Sequence, residues 1–501
     1  MKSRAEPSSR PCRLAPGHGA YPPRGQDEPA GDRGGRFGRM FPCAERPDPG
    51  QAAVDELVRL FRKRPQPHSE NHAIPAGYTY LGQFVDHDLT FDPISQLGRD
   101  NDPRTLVNFR TPRFDLDSVY GSGPADQPFL YEWKHRPDRG VKLLVGGDDA
   151  CRDLPRNGQG LALIGDARND ENLIVSQLHL LFIRFHNAVV ERLRAADGAD
   201  APQGEQARAE LFERARRIVR WHYQWIVTHD FLGRIAGPVA AGVLRDGDAA
   251  RPLAPAVDLR HFAGEQEPFM PIEFSGAAYR FGHAMVRTSY VMSEGVIATI
   301  FPGDGAEPGD RDLSGFRPLP ARLEIDWARF FWTQRVNGQT NSSLKINNRI
   351  TSELLHVPDR GALPWLNLQR GRALGLPSGP AVADAMGERR LDERELQLDP
   401  AADPRLNETL RNQTPLWYYV LCEAGTREFG ASGKHLGRVG GRIVAEVLVG
   451  LLHADAASYL SCEPAWRPRE LPAATAGDFT MIDLVSFVEE SEGRRPGAAG
   501  A

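Results

Sequence analysis

The sequence predicts a mainly α protein, a single large helical domain with long irregular loops and very little strand. Three observations carry this. Residues 171–195, ENLIVSQLHLLFIRFHNAVVERLRA, form a long apolar run with acids (Asp170, Glu171) at its start and arginines near its end, the charge order a helix dipole favours. In residues 78–92, YTYLGQFVDHDLTFD, Leu81, Phe84, Val85 and Leu89 follow the i, i+3, i+4, i+8 spacing of an apolar helix face. Strand signals are few and short, and 40 Pro and 50 Gly among 501 residues demand irregular connections.

Taken in order, residues 1–45 are Pro, Gly, Arg and Ser with little apolar content, a composition that predicts a disordered tail. An amphipathic helix follows at 52–63, then one at 78–90. Residues 92–170 read as a long non-helical stretch, which a bound ion or cofactor would explain. Helices are expected at 171–195, 205–233 and 276–290, and near 324–335, 382–390, 440–453 and 479–490, with loops at 236–262 and 301–322. One domain spans 46–492, and 493–501, GRRPGAAGA, is a second disordered tail.

A net charge of −5 leaves no basic field for nucleic acid. The five cysteines, Cys12, Cys43, Cys151, Cys422 and Cys462, show neither CxxC spacing nor a disulfide framework. The N-terminus has no apolar signal region, and no stretch approaches a membrane span. The expected location is soluble, either cytoplasmic or exported without a recognisable signal peptide.

Chemistry concentrates in five strings. Asp86, His87 and Asp88 fan out by about 100° each on a helix, two acids flanking one imidazole. Gln83, four residues earlier, falls on the histidine's side. Acids beside an apolar stripe are costly to bury alone, so a metal ion or a covalent bond neutralises them, or they are salt-bridged structure. In GDARNDENLIVSQLHLLFIRFHN, 165–187, Arg168 and Glu171 are either an ion pair at a helix start or carry chemistry: a permanently charged guanidinium can stabilise a leaving oxygen. His179 and His186 on that helix are expected to pack or cap. In AAYRFGHAMVRTSY, 277–290, Arg280, His283 and Arg287 share one helical face, so His283 is a neutral metal ligand between cations or a core histidine. LPWLNLQRGRALGLPSG, 363–379, offers Asn367 and Arg370. In RTPRFDLDSVYGSGP, 110–124, Asp115 and Asp117 face the same way if the loop is extended. With Asp88 they form a calcium-like set of three carboxylates, or a solvated acidic turn.

Together these strings resemble, in order across 78–379, the motifs of the animal-type haem peroxidases of the peroxidase–cyclooxygenase superfamily. The resemblance implies haem b and calcium. His87 would stand over the haem iron, with Asp86 at the haem edge and Arg168 reaching over the same face. His283 would be the iron's fifth ligand, its Nδ1–H accepted by the amide oxygen of Asn367. Arg280 and Arg370 would face propionates. Asp88, Asp115 and Asp117 would bind calcium with oxygens of Thr111 and Arg113. Asp117 stands where the family often has Ser, which adds charge without abolishing binding. Asp86 and Glu171 match positions that form ester links to haem methyls in mammalian members. Asn172 stands where some members carry Met, so no sulfonium link is expected. Gln83 matches a position near the halide in halide-oxidising members.

The implied activity is haem-dependent reduction of hydrogen peroxide and oxidation of a small reductant, halide or phenol, with His87, Arg168 and Gln83 as catalytic residues. Two alternatives remain. A fatty-acid dioxygenase of the same superfamily needs a tyrosine shortly before the proximal histidine. Arg280 takes that place, and Tyr279, one residue off, would be turned about 100° away on a helix. The other is a catalytically idle scaffold that keeps haem and calcium. A hydrolase using the same acids lacks a nucleophile motif such as GxSxG. Donor and oligomeric state are not written in the sequence.

Overall fold

The computed structural model describes residues 37–64, 69–90, 108, 110, 112–148, 151–198, 204–245, 255–262, 269–303, 306–332, 340–358 and 360–493. Eight helices carry the body of the chain: α1 (Gly50–Lys63), α2 (Gly77–Leu89), α3 (Leu173–Asp197), α4 (Glu205–Trp225), α5 (Leu363–Ala373), α6 (Leu416–Gly425), α7 (Arg438–Ala454) and α8 (Met481–Ser491). Strands are short and occur only in two-stranded pairs among the described residues. The mainly α class predicted from the sequence is the one found.

Helix α3 is the axis of the core. It packs against α2, α4 and α8. By length and apolar composition it could cross a membrane, contrary to the expectation that no stretch qualifies, yet 94% of its apolar window is buried inside the fold. Asn172 caps it, the side chain accepting from the backbone N–H of Ile174 at 3.1 Å and Val175 at 2.9 Å. Its Phe182 stacks on Phe84 of α2, centroids 4.8 Å apart and planes 7° from parallel. Such a pair adds about 0.5–1.5 kcal/mol beyond its buried area.

The start of α2 requires Gly77. A Cβ there would lie 2.6 Å from the Phe331 ring and 2.7 Å from the Phe330 carbonyl oxygen. The helix is thus seated between the Phe330–Phe331 turn and α3, which fixes the direction of its Asp86–Asp88 end.

Several expected elements differ. The segment expected to run as one helix over 205–233 turns π-helical at Ile226–Phe231 before a short helix, Leu232–Ala236. The helix expected at 276–290 is a 3-10 segment, Ala278–Met285, after which Ser289–Ser293 pairs as a hairpin with Val296–Thr299. Near 324–335 the described helix is only Ala328–Phe331, and helices Leu363–Ala373, Pro404–Gln413 and Leu416–Gly425 were not foreseen. Pro364, Pro404 and Pro415 stand at the starts of these three, where Pro is tolerated, though Pro- and Gly-rich sequence reads as loop. The expected boundary at 45/46 lies inside packed chain. Phe37–Gly38 pairs with Met270–Pro271, and the N–H groups of Met40 and Phe41 donate to the buried Glu273 carboxylate. The rest of both expected tails, 1–36 and 494–501, lies outside the described residues. Cys43, Cys151 and Cys422 are free thiols, whereas Cys462 is disulfide-bonded, a pairing that residue spacing did not reveal.

Candidate functional site

One cavity of about 1020 Å³ lies between α2 and the Ala278–Met285 segment. Its first wall carries Gln83, Asp86, His87, Arg168 and Glu171. His87 is buried, and its Nδ1 lies 2.8 Å from Asn169 Oδ1 while its Nε2 lies 3.8 Å from Glu171 Oε1. Gln83 donates to the same Glu171 oxygen and accepts from Asn172 Nδ2 at 3.2 Å. Arg168 donates to the His87 carbonyl oxygen at 3.1 Å and pairs with Asp166 at 2.7 Å. Asp86 accepts from the Thr90 hydroxyl at 3.1 Å. Burial and the Arg168 charge push His87 below its ordinary 6.5, against the pull of Glu171 and Asp86.

The opposite wall carries Tyr279, Arg280, His283 and Arg370. Burial, then the charges of Arg280 and Arg370, hold His283 down at about 3, so the imidazole is neutral. Arg280 is itself pushed down to about 10 by burial and by Arg370. This wall is short of negative charge. Asn367 of α5 reaches His283 Nδ1 at 2.9 Å, with its amide nitrogen rather than the expected oxygen. A half-turn of the amide presents its oxygen instead, the arrangement that accepts Nδ1–H and leaves the Nε2 lone pair for a metal. The Trp417 indole of α6 donates to the Arg280 carbonyl at 3.2 Å and anchors the segment.

Arg287 is not part of this wall. The 3-10 segment ends at Met285, and Arg287 turns to Glu70 at 2.8 Å and the Ser342 carbonyl at 2.9 Å. Tyr279 was expected to point away, but it lines the cavity beside Arg280. Its hydroxyl is buried with no hydrogen-bond partner.

Below α2, Asp88, Asp115 and Asp117 bring carboxylate oxygens within 4.8 Å of one another. The loop is not extended as expected: Leu116 sits at φ 59°, ψ 36°, and this left-handed turn folds the two loop acids toward Asp88. Asp88 Oδ1 is buried without a hydrogen-bond partner. Arg110 pairs with Asp117 at 2.9 Å and with Asp166 at 2.7 Å, and the charges of Arg220 and Arg113 act on Asp115. Burial, then neighbouring acids, raises Asp115 to about 6 and Asp117 to about 7. A bare buried oxygen among clustered carboxylates fits a hard cation. Arg113 shares the loop, and Thr111 lies outside the described residues.

The profile of the family described as animal haem peroxidase matches residues 93–411. The chain belongs to the animal haem peroxidase family. The match begins just after the Asp86–Asp88 end of α2. Among curated relatives, thyroid peroxidase of Sus scrofa is 28% identical over 327 residues, 58% of this chain and 31% of that protein. A peroxidase-like protein of Margaritifera margaritifera is 29% identical over 306 residues, 55% of this chain and 35% of that protein. The chain thus spans about a third of the length of these relatives. Among solved structures, peroxidase A from Dictyostelium discoideum superposes with a TM-score of 0.58 at 16% identity, covering 85% of this chain and 87% of that one. A fatty acid alpha-dioxygenase of Arabidopsis thaliana gives 0.57 at 16%, covering 90% and 76%. These likenesses are of fold.

The family is one of haem proteins, and the cavity fits haem by observation: a neutral histidine and two arginines on one wall, a second histidine with an arginine on the other. Sequence reasoning brought forward every residue on these walls that it named except Arg287. It missed Asn169 and the part played by His179, whose Nδ1 lies 3.0 Å from Asn169 Nδ2. The only signal was the polar RND spacing between Arg168 and Glu171, which reads equally as a turn.

Proposed function

We propose that this chain is a peroxidase that reduces hydrogen peroxide and oxidises a small donor, a halide or a phenol. The observation that carries the reading is the convergence of His87 and Arg168 with a neutral His283 on opposite walls of one cavity. Haem, when bound, supplies the iron that takes up peroxide and stores its oxidising equivalents. His283 would hold the iron, oriented by Asn367, and Arg280 and Arg370 would receive the propionates. Asp86 and Glu171 are the candidates for ester links. Asp88, Asp115 and Asp117, with Arg113 and Thr111, would hold calcium.

The chain's own chemistry follows from the first wall. His87 Nε2 takes the proton of entering peroxide and returns it to the departing oxygen. Arg168 is charged at every working pH and stabilises the negative charge that builds on that oxygen. Gln83 orients Glu171 through its amide and, beside His87, would meet a halide donor.

The test is the visible spectrum of the full chain supplied with haem, before and after one equivalent of hydrogen peroxide. A Soret band that shifts on peroxide is the expected result, and its retention through acid–acetone extraction would add the ester links. A band unmoved by peroxide, or no haem uptake, overturns the reading. The unpartnered hydroxyl of Tyr279 on the cavity wall favours a second reading, fatty-acid dioxygenation, which oxygen uptake with a long-chain fatty acid and its loss in Tyr279→Phe would reveal.

A further inference from the structure

Asn169 is fully buried between two imidazoles. Its Oδ1 lies 2.8 Å from His87 Nδ1 and its Nδ2 lies 3.0 Å from His179 Nδ1. An amide has one accepting and one donating end, so it cannot serve both rings alike. If Oδ1 accepts from His87 Nδ1–H, then Nδ2 must find a lone pair on His179 Nδ1. If the amide turns, both rings must change tautomer with it. With Nδ1 accepting, the His179 proton sits on Nε2, which is buried without a hydrogen-bond partner. The His179 ring is walled in: it meets Phe84 edge-on at 6.1 Å, and Phe84 stacks on Phe182.

We infer that Asn169 and His179 form a positioning chain that fixes His87 as its Nδ1–H tautomer and keeps the Nε2 lone pair toward the cavity. The inference rests on His87 being the proton-accepting group of the proposed peroxidase. Neither Asn169 nor His179 lines the cavity, so neither touches substrate. Burial holds His179 unprotonated, down at about 3, so its ring carries a single N–H and Nδ1 can accept when that proton sits on Nε2. The opposite wall repeats the device, with Asn367 on the Nδ1 of His283. The first wall adds a third member, and that member sets which way the amide faces.

The test reads the tautomer directly. Full-length protein labelled with 15N-histidine is examined by long-range 15N–1H NMR in the diamagnetic ferrous carbonyl form, or as isolated if it takes up no haem, with His87 assigned through His87→Gln. Wild type should show His87 protonated at Nδ1. His179→Leu removes the acceptor and should populate both His87 tautomers, while His179→Gln, which supplies an amide oxygen, should restore the wild-type pattern. Asn169→Asp places a charged acceptor on Nδ1. It should leave His87 protonated at Nδ1, as in wild type. Asn169→Leu should slow the peroxide step by ~10-fold or more, a part of the ~10²–10⁴-fold that a positioned acid–base group contributes. A wild-type His87 protonated at Nε2, or a His179→Leu protein with an unchanged His87 tautomer, overturns the inference. Failure of haem uptake or of the peroxide step in wild type overturns the peroxidase reading alone, because the tautomer is read without turnover.

Discussion

The two histidines that face each other across the cavity are built alike and surrounded differently. Each is held at Nδ1 by an asparagine, Asn169 for His87 and Asn367 for His283. His87 has Glu171 at 3.8 Å and Asp86 and Asp166 nearby, which pull its proton affinity up while burial and Arg168 push it down. His283 has only Arg280 and Arg370 as its charged neighbours of weight, and both act in the same direction as burial. An imidazole balanced between acids and a cation can take and return a proton. An imidazole among cations stays neutral and offers its lone pair to a metal. Identical side chains on opposite walls are thus assigned different chemistry by the signs of the charges around them.

That contrast can be broken at either end. The largest effect is expected from His283→Ala, which should abolish retention of haem, read as loss of the Soret band after desalting. His87→Ala should keep the band and slow the reaction with peroxide by ~10²-fold or more in stopped flow. Retained haem in the first variant, or an unchanged rate in the second, would erase the distinction.

Arg168→Leu should come next, slowing the peroxide step by ~10²–10³-fold with haem still bound. The pH profile of the same step sharpens the comparison further. A base must be neutral to act, and His87 lies below 6.5, so the rate should be level above that pH and fall as acid protonates the ring. A rate that rises in acid would assign His87 the opposite role.

Chelation should act through the acidic cluster. Without a bound cation, the raised proton affinities of Asp115 and Asp117 mean that the fold carries clustered buried acids whose burial outweighs the arginines beside them. Treatment with EGTA should therefore lower Tm in calorimetry, and added calcium should restore it. An unchanged Tm would mean that the arginines around the cluster suffice. The smallest effect is expected at Arg287, which shares its sequence string with Arg280 and His283 but faces Glu70. Arg287→Ala should shift stability by about 1 kcal/mol at most and leave the haem spectrum alone.

The sequence by itself determined the class and the inventory. The apolar spacing of 171–195 announced α3 because a core helix must be apolar around much of its girth. The strings around His87, Arg168, His283 and Asn367 could be read because together, in that order, they resemble the motifs of the family. What sequence spacing left open was direction. The 3-10 segment stops at Met285, so Arg287 leaves with the following extended chain, while Tyr279 lines the cavity beside Arg280. The left-handed Leu116 that folds Asp115 and Asp117 toward Asp88 carries no glycine to advertise it. The bridge from His87 through Asn169 to His179 joins helices α2 and α3 across more than 80 residues of chain. Only tertiary packing decided those contacts, because periodicity records which residues share a face and is silent about which faces meet.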